Sequence, residues 1–207
     1  MAEDSAEKPL SKGEQTRAAI IEAAYALFLK KGYHGTSMRQ IAGRADLALG
    51  GIYNHFAGKD EIFAAVLDAY HPYHTIFPAL EKTEGETVEL FMRDAARRVK
   101  NEIEGSETKL LPLIFIELVE FQGRHLATLA EKLMPTILAF VQRLVGRRGK
   151  LRNVPPPIML RMLFATFAGY LMTEMVLKNV PVFKNIELDW FDGMMDVYLH
   201  GILEPEA

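Results

Sequence analysis

Side chains able to do chemistry are present in this 207-residue chain, yet they do not assemble into a catalytic pattern. It has no cysteine, which removes disulfides, thiolate nucleophiles and thiolate metal sites and suits a reducing cytosol. There is no nucleophile elbow, no glycine-rich phosphate loop behind a strand and no metal-ligand cluster, so neither an enzyme nor a cofactor is expected. His71 and His74 stand three apart and could ligate a metal, but no carboxylate completes the pattern and no metal site is expected. Glu117 and Glu120 interrupt the apolar run LLPLIFIELVEF, where a carboxylate could receive a cationic ligand or simply face outward. Arg124 and His125 leave the same choice between pocket and solvent. The densest set of polar donors is the stretch Thr36 to Lys59, TSMRQIAGRADLALGGIYNHFAGK, and its chemistry is that of binding rather than bond-making.

That stretch must be carried by two short helices. Ser37 followed three residues later by Gln40 fits a capping box, in which side chains satisfy the orphan amides of a helix start. Ile41, Ala42 and Ala45 recur at helical spacing, Asp46-Leu47-Ala48 breaks the pattern, and Ile52 and Phe56 resume it four apart. Two helices with one apolar face and a three-residue turn form a helix-turn-helix, whose second helix can enter a DNA major groove while the first crosses the backbone. Upstream, Ile20, Ala24, Leu27 and Phe28 define a helix over 14–31, with Lys30-Lys31 in its last turn and Gly32 as a left-handed cap. Its stripe completes a core under Ile41, Leu47, Ile52 and Phe56, which gives a three-helix head over 14–58.

Net charge is −3, but it is unevenly spread. Residues 8–59 hold eight Lys and Arg against three Asp and Glu, a net +5, which leaves −8 for the rest. A basic head on an acidic body offers one end to phosphates. Residues 1–13 lack apolar periodicity and read as a mobile arm, whose Lys8 and Lys12 could touch DNA. The acidic, polar N-terminus is no secretory signal, and no uninterrupted run approaches the ~18 apolar residues of a membrane span, so a cytoplasmic protein without a membrane partner is expected.

The whole chain reads as all-α. From Lys59 a connecting helix carries Ile62, Phe63, Val66, Leu67 and Tyr70 through 59–80, with Pro72 as a possible kink or stop. A body over 59–207 follows, with helices over 86–103, 108–121, 124–145, from beside the triple proline 155–157 to 178, and 186–203. Its aromatic and sulfur-bearing residues fill a core, and a fraction should line a cavity; Phe91, Phe115, Glu117, Phe121, Met134, Phe167 and Tyr170 are the candidates for a small-molecule site. The last two helices are apolar around more than one face and carry small residues such as Ala165 and Gly193, so a homodimer packed as a four-helix bundle is expected. Phe164, Ala168, Leu171, Met175, Trp190, Met194 and Tyr198 are its candidate interface.

The run Gly50-x-x-Tyr53-x-His55-Phe56-x-x-Lys59, with Ala24, Phe28, Gly32, Thr36, Ser37, Ile41, Ala42, Ala45 and Leu47, resembles the tetracycline-repressor (TetR) family of one-component bacterial transcription regulators. The resemblance covers only about residues 14–70. It implies a variable helical ligand-binding and dimerising body, a double-stranded DNA operator and a small-molecule effector. It also implies phosphate contacts from Thr36, Ser37, Tyr53, His55 and Lys59, and base readout by Arg39, whose guanidinium suits guanine O6 and N7. Asn54 is a second reader, since an amide can pair with adenine. The family pattern of Val, a hydroxyl cap and Lys before Gly50 is here Leu47, Ala48 and Leu49, and Gly51 replaces a hydroxyl residue. Leu49 could meet a thymine methyl, and Gly50-Gly51 weaken the helix start while letting DNA approach the backbone. The expected function is a ligand-responsive repressor binding a pseudo-palindrome as a dimer, against a ligand-independent, architectural DNA-binding protein as the alternative.

Overall fold

A computed structural model describes residues 11–103, 107–149, 151–152, 154–177, 179–184 and 186–202. Lys8, assigned to a DNA-touching arm, lies outside the described residues. The all-α expectation holds: the described residues form helices and no strand, with one isolated bridge between Thr87 and Arg148. In chain order the helices are α1 (Lys12–Lys31), α2 (Met38–Arg44), α3 (Leu49–Tyr53), α4 (Lys59–Tyr70), α5 (Tyr73–Glu81), α6 (Val88–Ile103), α7 (Glu107–Glu120), α8 (Arg124–Val145), α9 (Pro156–Leu177), α10 (Pro181–Lys184) and α11 (Trp190–Ile202). They pack into two compact units, Met1–His71 with Thr108–Lys132, and Pro72–Glu107 with Leu133–Ala207.

The first unit holds α1 to α4, α7 and the start of α8. α1 begins earlier than its apolar stripe implies because Ser11 and Glu14 form a capping box: Ser11 Oγ accepts the Glu14 N–H and Glu14 Oε2 accepts the Ser11 N–H at 2.7 Å. Lys12 therefore belongs to a helix rather than to an arm. Gly32, at φ 72°, ends α1 in a positive-φ conformation that L side chains rarely adopt. Asp46 takes φ 57° in the turn between α2 and α3, a conformation that short polar side chains tolerate. Phe28, Phe63, Ile20, Ile41, Ile52 and Ile62 are all essentially buried, each contributing about 1.5–3 kcal/mol relative to exposure. Leu110 and Leu113 of α7 enter the same core, so helices distant in sequence join the helix-turn-helix in one packed body.

The connecting helix over 59–80 is corrected to two. α4 stops at Tyr70, His71 turns to an extended conformation (φ −78°, ψ 129°), and α5 starts after Pro72. The proline ring disfavours helical backbone at the residue before it, which makes the break local.

The second unit holds α5, α6, the end of α8, α9, α10 and α11. Val88, Met92 and Ala96, four apart on α6, pack with Phe191, Met195 and Leu199 of α11. Arg93 pairs with Asp196, and Lys100 with Asp189, along the same seam. No residue of α9 is buried, and an 18-residue window within it reaches a mean hydropathy of 1.3. The expectation that nothing is long and apolar enough to span a membrane is thereby corrected. Arg161 interrupts the apolar run but not a window average, so length and composition alone pass the test.

Candidate nucleic-acid interface

Packing fixes the helix-turn-helix from below and leaves its upper edge free. Ile41, Ala42, Ile52 and Phe56 are buried, with the Arg17 guanidinium 4.8 Å above the Phe56 ring. Ser37 caps α2 as its spacing predicts, its Oγ accepting the Gln40 N–H while Gln40 Oε1 accepts the Ser37 N–H. A hydroxyl that accepts at a cap still has its proton to donate, so Ser37, which is exposed, keeps a phosphate contact open. Arg39 and Arg44 project from the same helix into solvent, and Arg39 has no ion-pair partner among the described residues.

Two of the expected phosphate donors are engaged inside the protein. Thr36 is 2% exposed and its hydroxyl donates to Gly32 O at 2.9 Å. The Lys59 ammonium donates to Tyr33 O at 2.7 Å and Thr36 O at 2.8 Å, and lies 4.1 Å from the Tyr33 ring centre. Burial pushes its pKa down, against an opposing pull from Glu120. Lys59 therefore ties the turn after α1 to the start of α4, and of its three donors one is left over for an anion. Sequence spacing could not show this, because the carbonyls it serves lie 26 and 23 residues upstream.

α3 spans five residues, with Ala48 at its N-cap and no side-chain cap bond. A helix this short is less than two turns long, and it is held by Ile52 beneath rather than by its own ends. Leu49 is 36% exposed and Tyr53 53% exposed; Gly50 and Asn54 are also exposed, and Asn54 sits at the C-cap. His55 is half-buried. A Cβ added at Gly50 or Gly51 would meet nothing within 4 Å, and neither residue takes a positive φ. The fold itself thus makes no demand for glycine at either position.

The other candidate residues disperse. Phe115, Glu117 and Phe121 belong to the first unit, and Phe91, Met134, Phe167 and Tyr170 to the second. Phe91 is fully buried beneath Phe140 and the guanidinium groups of Arg143 and Arg147. Phe121 is wedged between Tyr33 and Phe63, 4.7 Å from each ring. Phe167 and Tyr170 both stand edge-on to Phe191, while Phe115 and Met134 are exposed at 42% and 40%. Glu117 is neither outward-facing nor open to a ligand: it is fully buried and bonded to the start of α8. None of these seven lines either of the two cavities described, one of about 680 Å³ between α9 and α11 and one of about 210 Å³ beside His125. Of the interface candidates, Phe164 is 73% exposed and Met175 and Trp190 are exposed, and Ala168, Leu171 and Met194 are intermediate. Tyr198 departs from that set, being buried with its hydroxyl donating to Met159 O at 3.0 Å; burial pushes its pKa up to about 12.

Residues 20–66 match the family of bacterial regulatory proteins, tetR family. The transcriptional regulator TtgR of Pseudomonas putida is 38% identical over 93 residues, 44% of this chain and 44% of its own length. The chain thus spans less than half the length of that relative. NalD of Pseudomonas aeruginosa, the secondary repressor of the MexAB-OprM multidrug efflux pump, superposes with a TM-score of 0.66 over 94% of this chain and all of its own, at 20% identity. A SmeT–triclosan complex superposes with a TM-score of 0.63 over 93% of this chain and 98% of its own, at 24% identity. At those identities the two structures establish the fold alone, and the sequence similarity is confined to the N-terminal part of the chain.

Proposed function

We propose that this chain, a tetR-family protein by the match of its head and the fold of its length, is a ligand-responsive transcription regulator. In this reading it is a repressor that binds a pseudo-palindromic operator as a homodimer and leaves it when a small, largely apolar effector binds the body. The observation that carries the reading is the exposed edge of Ser37, Arg39, Leu49, Gly50, Tyr53 and Asn54, with Gly51 partly exposed among them, on a helix-turn-helix whose opposite face buries Ile41, Ala42, Ile52 and Phe56. Glycines that the fold does not require, facing open space, suit a surface that another backbone must approach closely.

Dimerisation is supported by α9. A helix with no buried residue and with Ile158, Met162, Phe164 and Val176 all more than half exposed presents an apolar face for a partner to cover, and a second copy offers the matching face by two-fold symmetry. Two recognition helices then enter successive major grooves about 34–36 Å apart. Effector control is supported by the relatives: TtgR is a transcriptional regulator, NalD represses a multidrug efflux pump, and SmeT is seen with triclosan. The chain passes between its two units at 71/72, 107/108 and 132/133, which supplies covalent routes for a signal.

Selection of bound duplexes from a random pool is the direct test. A two-fold-related sequence should emerge, and Arg39→Ala should relax the preference at one base position by about 1–3 kcal/mol without abolishing binding. Recovery of no preferred duplex would remove the regulator reading. A thermal-shift screen with apolar and cationic compounds separates the architectural alternative, because only a regulator gains stability with a compound that also releases DNA.

A further inference from the structure

One buried polar cluster plays no part in the DNA-binding edge. Glu117, in the apolar run of α7, is fully buried. Its Oε1 accepts the backbone N–H of His125 at 2.7 Å and of Leu126 at 3.3 Å, so a carboxylate from α7 caps the first turn of α8. Its Oε2 lies 2.7 Å from His125 Nδ1, which must then carry a proton, since an ionised carboxylate only accepts. The second ring nitrogen, Nε2, is buried and has no hydrogen-bond partner among the described residues. It stands 3.6 Å from Oδ1 of Asp60, the second residue of α4.

The doubly protonated ring gives both of its nitrogens a carboxylate partner. With the neutral ring's proton on Nδ1, Nε2 is a bare acceptor facing a carboxylate oxygen, so two acceptors oppose one another and no donor among the described residues serves Nε2. In the imidazolium Nε2 gains an N–H with Asp60 Oδ1 3.6 Å away, and a closure of about half an ångström would bring the two within hydrogen-bond range. The ring cannot turn away, because it is lodged against Phe63 and Phe121, with centroids 5.6 Å and 4.6 Å distant.

We propose that His125 is a proton-dependent latch. Carrying its second proton, it bridges Glu117 to Asp60 and fastens the α7–α8 corner to the start of α4, whose Ile62 and Phe63 share the core of the helix-turn-helix; losing that proton releases the α4 side. The corner itself is strained, since Gln122 takes φ 55°, a left-handed conformation that an L side chain resists. The charged groups around the ring are Lys59, Asp60 and Asp68 on α4, Glu117 and Glu120 on α7, and Arg124 and Lys132 on α8. His34 and Tyr33 of the turn after α1 complete the set, His34 pairing with Glu120 at 2.6 Å. Arg124 also pairs with Asp60 and stays charged throughout, so it keeps Asp60 in place while the histidine changes state. The bond requires the proton, hence its contribution is present on the acid side and is lost as pH rises.

The latch rests on the geometry, and its effect on DNA rests on the proposed function, so the test has two arms. In the first, the ¹⁵N spectrum of the imidazole rings of the full chain is followed from about pH 5.5 to about pH 8.5, the range in which imidazoles change charge. His125 is assigned by its loss in His125→Gln or, if that variant does not fold, by ring contacts to Phe63 and Phe121. Both nitrogens should be protonated at the acid end, and Asp60→Asn, at a half-exposed position, should move the transition to lower pH. A ring protonated on one nitrogen throughout, or a transition that Asp60→Asn leaves in place, overturns the latch. In the second, affinity for a selected duplex at constant salt should fall about fivefold more between pH 6 and pH 8 in the parent chain than in Asp60→Asn. Equal losses overturn its regulatory consequence. If no duplex binds at any pH, the DNA-binding reading falls, and the ring titration still decides the latch.

Discussion

Lys59 shows how a side chain with the chemistry of a phosphate donor can be committed to the fold. Its ammonium closes the turn after α1 onto α4 through two backbone carbonyls, and only its third donor can turn outward. Replacing it by Met removes both bonds and leaves two half-buried carbonyls unserved. We expect Lys59→Met to cost about 1–2 kcal/mol, discounted for partial exposure, and to lower Tm by ~3–6 °C. Arg39→Ala should leave Tm unchanged, since Arg39 makes no ion pair among the described residues. Differential scanning calorimetry of both variants decides the matter: an unaltered Tm for Lys59→Met would return Lys59 to a purely external role.

Among the elements, α11 owes its start to a single carboxylate. Asp189 accepts the Asp192 N–H at 3.0 Å, three residues on, and pairs with Lys100 of α6 at 2.9 Å. The backbone bond from Asp192, then Lys100, holds the Asp189 carboxyl below the usual carboxylate range. A depressed carboxyl stabilises the fold above its unfolded pKa, and that stabilisation is lost as pH falls through the folded value. Asp189→Asn should therefore lie below the parent in Tm at neutral pH and converge with it below about pH 4. Melting curves that run parallel across the whole range would show that the charge contributes nothing. The break between α4 and α5 has a different origin, since hydropathy runs across it and only the backbone demand of Pro72 reveals it.

For the molecule as a whole the outstanding question is what covers α9. Phe164 is 73% exposed in the single chain and no residue of α9 is buried, so the helix offers an uncovered apolar face. Phe164→Glu should convert a dimer into a monomer in sedimentation velocity, keep the helical circular dichroism, and lose tight binding to a two-fold site. A dimer that survives the substitution would move the interface away from Phe164, for instance to the apolar cavity of about 680 Å³ between α9 and α11 that Met194 and Trp190 help to line.

The helix-turn-helix could be read without a structure because its signals are local. A cap three residues from its partner, an apolar pair four apart and a polar turn are properties of neighbouring residues, and Ser37–Gln40 and Ile52–Phe56 fall where the chain says. The Ser11–Glu14 box was equally visible in the sequence S-K-G-E, although the apolar stripe alone starts later. What spacing could not reveal is the destination of polar groups whose partners are far along the chain. Thr36 and Lys59 offer the donors of a phosphate clamp but spend them on carbonyls, and Glu117 reads as a surface or pocket charge but caps the helix that follows its own. His34 and Glu120 meet across 86 residues. Such pairings arise only when apolar burial has packed the helices together, because the penalty for an unpartnered buried polar group then selects whichever donor or acceptor tertiary packing has brought within reach.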